Sequence, residues 1–221
     1  MAGFTCEMAV SRRRSAGPIR SIVPTLDAPV FEVLAGTTRP LSGHQVYVLA
    51  RTGSARGVRL VLARLVAQGL VVADEHPGAT LYAANRKHLA WPAIEALVGL
   101  RSALLEQLRI RIQDWPIAPI HASVFGSTAR GDADEQSDID LLLVRPDGSS
   151  EDEWARQLEA LRDWVLESTG NRCQAFDVDA ARFAEHVEAG DPLVDAWRRD
   201  GIQLVGASIE TLVRSGKGRK S

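Results

Sequence analysis

The sequence predicts an α+β protein of two domains: a helical N-terminal domain ending in a β-hairpin, and a C-terminal α/β domain on a mixed sheet. Residues 24–90 show apolar residues at helical spacing, followed by two short strands around a turn. After Trp115-Pro116, two apolar, strand-like runs flank a Gly-Ser turn. Charge divides the chain similarly, since residues 1–116 carry 14 Lys/Arg against 8 Asp/Glu, and residues 117–221 carry 12 against 20. A basic half and an acidic half suggest two units with different partners.

The composition is that of a globular protein, with 45% hydrophobic residues and no apolar run near the length that spans a membrane. Residues 1–23 show little periodicity and predict a flexible basic arm. The cluster Arg12-Arg13-Arg14 is followed by no apolar core or cleavage site, so we expect no secretory signal. Cys6 and Cys173 lie far apart, which argues against a disulfide framework and a zinc site. We expect a cytoplasmic protein without membrane association.

Three helices are predicted in the N-terminal domain from their caps and apolar spacing. Asp27 and Ser42 stand where caps of the first two helices are expected, and Ser54 caps the third, which Gly69 ends. The apolar residues of the third helix fall on one side and predict a buried stripe: Val58, Val61, Leu62 and Leu65. Strands on either side of Pro77-Gly78 predict a hairpin.

Three helices followed by a hairpin over residues 24–90 resemble a winged helix-turn-helix of the kind found in small bacterial repressors. Three runs show the resemblance: Ser54-Ala55-Arg56, Leu65-Val66-Ala67-Gln68-Gly69-Leu70-Val71 and Tyr82-Ala83-Ala84-Asn85. The resemblance implies that the third helix enters the major groove of double-stranded DNA while the wing lies on the backbone. The residues that it places at the DNA are Ser54, Arg56, Arg59, Arg86 and Lys87. A winged helix used only for dimerisation or protein contact remains the alternative.

A periodic apolar segment predicts one connecting helix over residues 91–115, with Pro92 in its first turn. Its apolar positions are too many for a single buried face. One side is expected to pack on the N-terminal domain. The other side either pairs with a second copy of the chain, giving a homodimer, or packs on the following domain, and the sequence does not choose between these.

Two carboxylates are predicted to lie together in the C-terminal domain. The run from His121 to Phe125 enters the turn Gly126-Ser127, and a second apolar run contains Asp138 and Asp140. Alternate residues of a strand share a face, so both acids project together and repel unless a cation lies between them. Mg²⁺ suits such a pair, because it binds one or two carboxylates together with substrate phosphates. The glycine lets a backbone approach a ligand, and the helix opened by Ser127 favours an anion.

These residues resemble the signature of the DNA-polymerase-β-like nucleotidyltransferases in minimal form: Gly126-Ser127, Arg130-Gly131 and Ser137-Asp138-Ile139-Asp140-Leu141. The resemblance implies a mixed-sheet α/β domain over residues 116–207 that transfers a nucleotidyl group to an acceptor hydroxyl. It implies two Mg²⁺ ions on Asp138 and Asp140, and a nucleoside triphosphate, with ATP favoured, on Gly126, Ser127 and Arg130. The implied acceptors include a protein side chain, a small hydroxylated molecule and a nucleic-acid end.

The third carboxylate of that pattern is missing at the expected position. Counted from Gly170, Gln174 stands on the following strand where the acid is expected, and an amide cannot act as a base at neutral pH. A register slip of one residue would instead bring Asp177 to the site. Two functions therefore stay open: a DNA-binding nucleotidyltransferase, and a transcriptional regulator whose C-terminal domain is a catalytically degenerate nucleotide sensor.

The remaining elements alternate helix and strand. Ser149 or Ser150 is expected to cap a helix that Gly170 ends. A strand, two short helices and a last strand are then predicted, at Cys173–Val178, Arg182–Ala189, Pro192–Asp200 and Ile202–Val205. Residues 208–221, rich in Lys, Gly and Ser towards their end, predict a disordered tail.

Overall fold

The structure is a computed structural model, described for residues 18–131 and 137–217. Residues 1–17 of the predicted arm and the last four residues of the predicted tail lie outside this part of the chain. The end of the predicted arm is not a flexible segment in the structure, because Ile19–Ile22 form a short helix in which Ile19 is buried and Arg20 pairs with Glu32. None of the described helices combines the length and the apolar composition that crossing a membrane requires.

Between residues 18 and 84 the structure shows four helices and three strands of the N-terminal unit. They are α1 (Ile19–Ile22), α2 (Asp27–Ala35), β1 (Leu41–Ser42), α3 (Gly43–Ala50), α4 (Ala55–Ala67), β2 (Val71–His76) and β3 (Ala79–Ala84). The strands form an antiparallel sheet in the order β1-β3-β2. Ser42 and Gln45 form a reciprocal capping box at the start of α3, and Ser54 accepts a hydrogen bond from the Gly57 N–H at the start of α4. Helices α3 and α4 therefore begin where their caps predict. The predicted cap Asp27 is instead the first residue of α2 and makes no cap hydrogen bond, because its carboxylate binds the Thr25 hydroxyl and Arg64.

The core of this unit lies between α4, the other helices and the sheet. Val58, Leu62 and Leu65 of α4 are fully buried against side chains of α2, α3 and β2. Trp91 and Ile94, which follow the hairpin in the chain, complete the same core. The residues after the hairpin therefore belong by packing to the N-terminal unit.

The predicted single helix over residues 91–115 is two helices, α5 (Trp91–Val98) and α6 (Leu100–Gln113), separated by Gly99. Glycine is costly inside a helix, and here its N–H bonds to the Glu95 and Leu97 carbonyls at the end of α5. While α5 packs in the N-terminal core, Leu108 and Ile112 of α6 are fully buried in the C-terminal core. The packing thus divides the chain at Gly99, before the predicted boundary at Pro116. The homodimer stays a prediction.

In the described ranges 114–131 and 137–217, the C-terminal unit adds four strands and five helices to α6. They are β4 (His121–Phe125), α7 (Gly126–Arg130), β5 (Ile139–Arg145), α8 (Glu151–Thr169), β6 (Cys173–Asp179), α9 (Ala180–Ala189), α10 (Pro192–Asp200), β7 (Ile202–Gly206) and α11 (Ile209–Lys217). The sheet has the order β6-β5-β4-β7, in which β5 and β6 are parallel and the other neighbours antiparallel. This is the mixed sheet that the sequence predicts.

The two faces of this sheet have separate cores. One face packs on α6 and α8, with Leu141 and Leu143 of β5 buried there. The other packs on α9, α10 and α11, with Leu142 and Val144 buried there. Trp197 of α10 is the centre of the second core and contacts four rings: Phe125, Phe176, Phe183 and His186. Helix α10 therefore packs against the end of β4, the middle of β6 and helix α9.

The predicted disordered tail over residues 208–221 differs from the structure, in which residues 209–217 form α11. Ile209, Leu212 and Val213 fall at helical spacing and pack on the second core, where Val213 is 5% exposed. The charged and small residues that suggested disorder lie between and after these apolar positions.

Candidate active site

Strand register brings Asp140 and Gln174 side by side. Asp140 of β5 is paired with Gln174 of parallel β6 on one side and with Phe125 of antiparallel β4 on the other. Residues paired across neighbouring strands project from the same face. Gln174 therefore occupies the position next to Asp140 where the sequence pattern would place a third acid.

Asp177 lies on the opposite face of the sheet. It is paired with Leu143, and its Oδ1 accepts a hydrogen bond of 2.9 Å from Nε1 of Trp154 in α8. Burial raises the pKa of Asp177, and the hydrogen bond from Trp154 lowers it in part. The register slip that would bring Asp177 to Asp140 does not occur, so Asp177 contributes to packing between β6 and α8.

The first residue of α7, Gly126, lies directly against the Asp140 carboxylate. Gly126 has φ +67°, a conformation that other residues rarely adopt. A Cβ at this position would lie 3.1 Å from Cγ of Asp140 and closer still to Oδ2. Ser127 follows in the first turn of α7, where the backbone N–H groups have no partner within the helix. Amides that suit an anion and a carboxylate that suits a cation are therefore neighbours.

Asp140 sits in an environment that favours the uncharged carboxyl. Burial raises its pKa, the negative charge of Asp138 raises it further, and the positive charge of Arg130 lowers it in part. Asp138 itself is exposed just before β5. Among the described residues there is no group of three or more His, Cys, Asp or Glu side chains that could hold a metal ion. A cation between the two aspartates would take its other ligands from water or from substrate phosphates.

Arg130, at the end of α7, forms an ion pair with the last residue of α10. Its Nη1 lies 3.1 Å from Oδ2 of Asp200, which also binds the neighbouring Arg199. The sequence pattern identifies Arg130 but neither of these partners. The run Arg198-Arg199-Asp200 ends α10, but no nearby feature of the sequence predicts that it contacts α7.

Arg101 of α6 binds the other side of the same helix. Its Nε donates to the Thr128 carbonyl at 2.8 Å, and its Nη2 donates to the Ala129 carbonyl. These carbonyls belong to the last turn of α7, where the Thr128 carbonyl also accepts from the Gly131 N–H at 3.3 Å. A cavity of about 610 Å³ lies beside this contact, between α6, the end of α8 and Ser137. No sequence motif identifies Arg101.

The predicted DNA-contacting residues fall into two groups. Arg56 and Arg59 are exposed on α4, and Lys87 is exposed after β3. Ser54 uses its hydroxyl as the cap of α4. Arg86 binds Glu95 and the Ala35 and Thr37 carbonyls, and its guanidinium lies 5.9 Å from the centre of the Trp91 ring. Arg86 is also exposed, but its guanidinium is engaged by these contacts within the N-terminal unit.

Comparison with known proteins identifies the domain that contains this site. Residues 104–195 match the model of the nucleotidyltransferase domain family. This range contains α7, Asp138, Asp140 and Gln174. The chain therefore contains a nucleotidyltransferase domain. No curated protein sequence matches the chain.

Solved structures resemble the chain only distantly. A crystal structure of a toxin-antitoxin with AMP-PNP is 19% identical, with 51% of this chain and 83% of that chain covered and a TM-score of 0.37. A mutant of the toxin-antitoxin MntA-HpeT is 17% identical, with the same coverage and TM-score. Human N-acetylserotonin methyltransferase in complex with SAM is 19% identical, with 42% and 30% covered and a TM-score of 0.28. Similarity at this level assigns no function.

Proposed function

We propose that this protein binds a magnesium–nucleoside triphosphate in its C-terminal domain and DNA through its N-terminal domain. The contact between Gly126 and Asp140 is the observation on which the nucleotide site rests. It puts the amides of α7 next to a carboxylate within a nucleotidyltransferase domain. In this proposal Asp138 and Asp140 hold Mg²⁺, and the phosphates lie against Gly126, Ser127 and Arg130.

Binding is tested by calorimetric titration of the full chain with ATP in the presence of Mg²⁺. The Asp138→Asn variant is expected to bind at least about tenfold more weakly than the wild type, because one metal ligand loses its charge. Asp163→Asn, which removes an exposed aspartate from α8, is the matched control and is expected to bind like the wild type. A wild type that binds none of ATP, GTP, CTP and UTP would refute the proposal.

Whether the domain transfers a nucleotidyl group depends on Gln174. An amide beside Asp140 still allows binding, but it supplies neither the third charge for a second metal ion nor a base. This favours, as a second candidate function, a transcriptional regulator whose C-terminal domain senses nucleotide without catalysing transfer. In the first candidate function the acceptor is a protein, a small hydroxylated molecule or a nucleic-acid end.

The two functions are separated by product formation from α-labelled ATP in the presence of Mg²⁺. Product from the wild type that disappears in Asp140→Asn would establish the enzyme. If the wild type binds ATP but forms no labelled product, and Gln174→Asp forms product, the degenerate sensor would be established. Self-labelling of the chain is included as one readout, since a protein hydroxyl is among the proposed acceptors.

DNA binding is supported by the order of elements in the N-terminal unit. Helices α2, α3 and α4 precede the hairpin, and the sheet has the order β1-β3-β2. The outer side of α4 presents Arg56 and Arg59 to solvent. These features are those expected of a winged helix-turn-helix. In this proposal α4 lies in the major groove and Lys87 approaches the backbone.

The DNA proposal is tested by fluorescence anisotropy of a labelled duplex over a series of salt concentrations. Replacing Arg56 and Arg59 by Gln is expected to weaken binding and to reduce the slope of log affinity against log salt by about 1 for each phosphate that is no longer neutralised. Arg64→Gln is the control, because Arg64 is on the same helix but pairs with Asp27. Equal affinity and equal slope in the double variant and the control would contradict the proposal.

A further inference from the structure

Asp200 joins two arginines at the edge of the candidate site. Nη1 of Arg130 lies 3.1 Å from Oδ2, while Nε and Nη2 of Arg199 lie 2.9 and 3.1 Å from Oδ1 and Oδ2. The Asp200 side chain is 9% exposed, whereas those of Arg130 and Arg199 are 46% and 69% exposed. A largely buried acid thus anchors two guanidinium groups that reach solvent.

The packing of α10 places this cluster at the same end of the sheet as Asp140. Trp197 contacts Phe125, the last residue of β4 and the neighbour of Gly126 in the chain. One turn later Asp200 meets α7, and β7 then starts at Ile202 opposite Val124. Because Phe125 is paired with Asp140, the end of α10 lies over the end of β4 from which α7 begins.

Arg199 holds Asp200 through two of its guanidinium nitrogens, Nε and Nη2. The hydrogen bond from Arg199, and to a smaller extent that from Arg130, holds the pKa of Asp200 below its ordinary value, so the acid stays charged. Among the described residues no acceptor is found for Nη1 of Arg199. An exposed guanidinium whose orientation is fixed by a carboxylate is suited to phosphate oxygens, which it can bind through two N–H groups.

We propose that Arg199 binds the distal phosphates of the nucleotide, and that Asp200 is a positioning residue which holds Arg130 and Arg199 towards them. The inference rests on the proposed nucleotide site and extends it to α10. The site would then clamp the polyphosphate between the amides of α7 and two arginines from different elements. Specificity for a triphosphate over a monophosphate would come from Arg199.

The adjacent Arg198 provides a matched control. It has the same charge and belongs to the same helix, but it pairs with Glu210 of α11. Calorimetric titration with Mg²⁺–ATP, and displacement of ATP by AMP, are measured for the wild type, Arg199→Gln and Arg198→Gln. We expect Arg199→Gln to weaken ATP binding about tenfold, which corresponds to about 1.4 kcal/mol, and to change AMP binding less than about twofold. Arg198→Gln is expected to leave both unchanged.

Two further variants separate positioning from general stability. Asp200→Asn is expected to weaken ATP binding at least as much as Arg199→Gln, because both guanidinium groups lose their anchor. Arg199→Lys is expected to recover part of the ATP affinity, since it restores the charge without the planar fork. Thermal unfolding is recorded for each variant so that affinity is compared among folded proteins.

The outcomes distinguish this inference from the proposed function. If the wild type and Arg199→Gln bind ATP equally, the inference is overturned while the nucleotide site stands. If Arg199→Gln weakens ATP and AMP by the same factor, the effect is structural and the inference is also overturned. If the wild type binds no nucleotide, both the inference about Arg199 and the proposed nucleotide site are refuted.

Discussion

At Gly126 the geometry of the candidate site depends directly on the backbone conformation. Its φ of +67° and the Asp140 carboxylate beside it leave no room for a side chain. We expect Gly126→Ala to reduce Mg²⁺–ATP affinity at least about tenfold, because the turn must move away from Asp140.

Gly148→Ala is a matched control for this change. Gly148 has φ +74°, so alanine is strained there too, but nothing lies within 4 Å of the added Cβ. We expect Gly148→Ala to lower the free energy of unfolding by about 1 kcal/mol and to leave the ATP affinity unchanged. Equal ATP affinity in the two variants would show that the turn at Gly126 does not shape the nucleotide site.

His121 is a buried residue of β4 whose two ring nitrogens both have partners. Nδ1 lies 2.7 Å from the Ala207 carbonyl and therefore donates, which leaves Nε2 to accept from the Ser123 hydroxyl at 2.9 Å. Burial lowers the pKa of His121, and the hydrogen bond to Ala207 raises it in part. The side chain is 1% exposed and is best explained as a neutral structural histidine.

The lowered pKa of His121 predicts a loss of stability in mild acid. The folded state binds its proton more weakly than the unfolded state does, so this contribution is complete above about pH 6.5 and is lost as pH falls towards the folded pKa. His121→Gln should cost about 1–3 kcal/mol at pH 7.5 through its buried partners, and this deficit should shrink between pH 6.5 and 5. Urea unfolding at both ends of the range measures it. A deficit independent of pH would contradict the assignment, and exposed His44→Gln is the control.

At the scale of elements, the sequence predicted best those features that local chemistry determines. Ser42, Ser54 and Ser150 each cap a helix in the structure, because a cap depends only on residues three positions away. The break at Gly99 was missed, since a helical pattern on both sides of a glycine does not show that each side belongs to a different core. Tertiary packing decided that element.

The same distinction applies to the candidate site. The alternation of side chains along a strand predicts from the sequence that Asp138 and Asp140 share a face. In the structure, the parallel register of β5 and β6 then places Gln174 beside Asp140. Asp200 was missed because it reaches α7 from 70 residues further along the chain, through the packing of Trp197. Arg199 was missed with it, since Arg199 binds Asp200. A motif identifies the residues near each other in sequence, whereas the remaining walls of a site depend on the fold.

Helix α11 lies in a segment whose composition predicts disorder, and its packing can be tested. Val213 is buried against α9 and the second core of the C-terminal unit. We expect Val213→Ala to reduce the free energy of unfolding by about 1–3 kcal/mol, by loss of buried methyl groups. Ser215→Ala, on an exposed position of the same helix, should change it by less than about 0.5 kcal/mol. Equal effects in denaturant unfolding would indicate that α11 is not packed in solution.

For the whole molecule, α5 and α6 are the physical connection between the two units. Helix α5 is buried in the N-terminal core, and α6 is buried in the C-terminal core. Near the start of α6, Arg101 binds the carbonyls that end α7, the helix proposed to hold the phosphates. A shift of α7 on nucleotide binding would therefore be transmitted to α6 and, across Gly99, to α5 and the proposed DNA-binding unit.

This connection predicts coupling between the two proposed ligands. We expect saturating Mg²⁺–ATP to change the affinity for a DNA duplex about fivefold or more, a size typical of coupling between sites. Arg101→Gln should reduce the change to less than about twofold, because the guanidinium that joins α6 to α7 is removed. Arg111→Gln is the control, since Arg111 lies on the same helix but stacks on Trp164 at 4.2 Å.

The measurement is DNA anisotropy with and without nucleotide, matched by ATP calorimetry with and without DNA. Linkage requires that DNA change ATP affinity by the same factor by which ATP changes DNA affinity. Agreement of the two factors in the wild type, and their joint disappearance in Arg101→Gln, would assign the coupling to the α6–α7 interaction. A factor that persists in Arg101→Gln would require another path between the units, and a factor of one in the wild type would mean that the two units act independently.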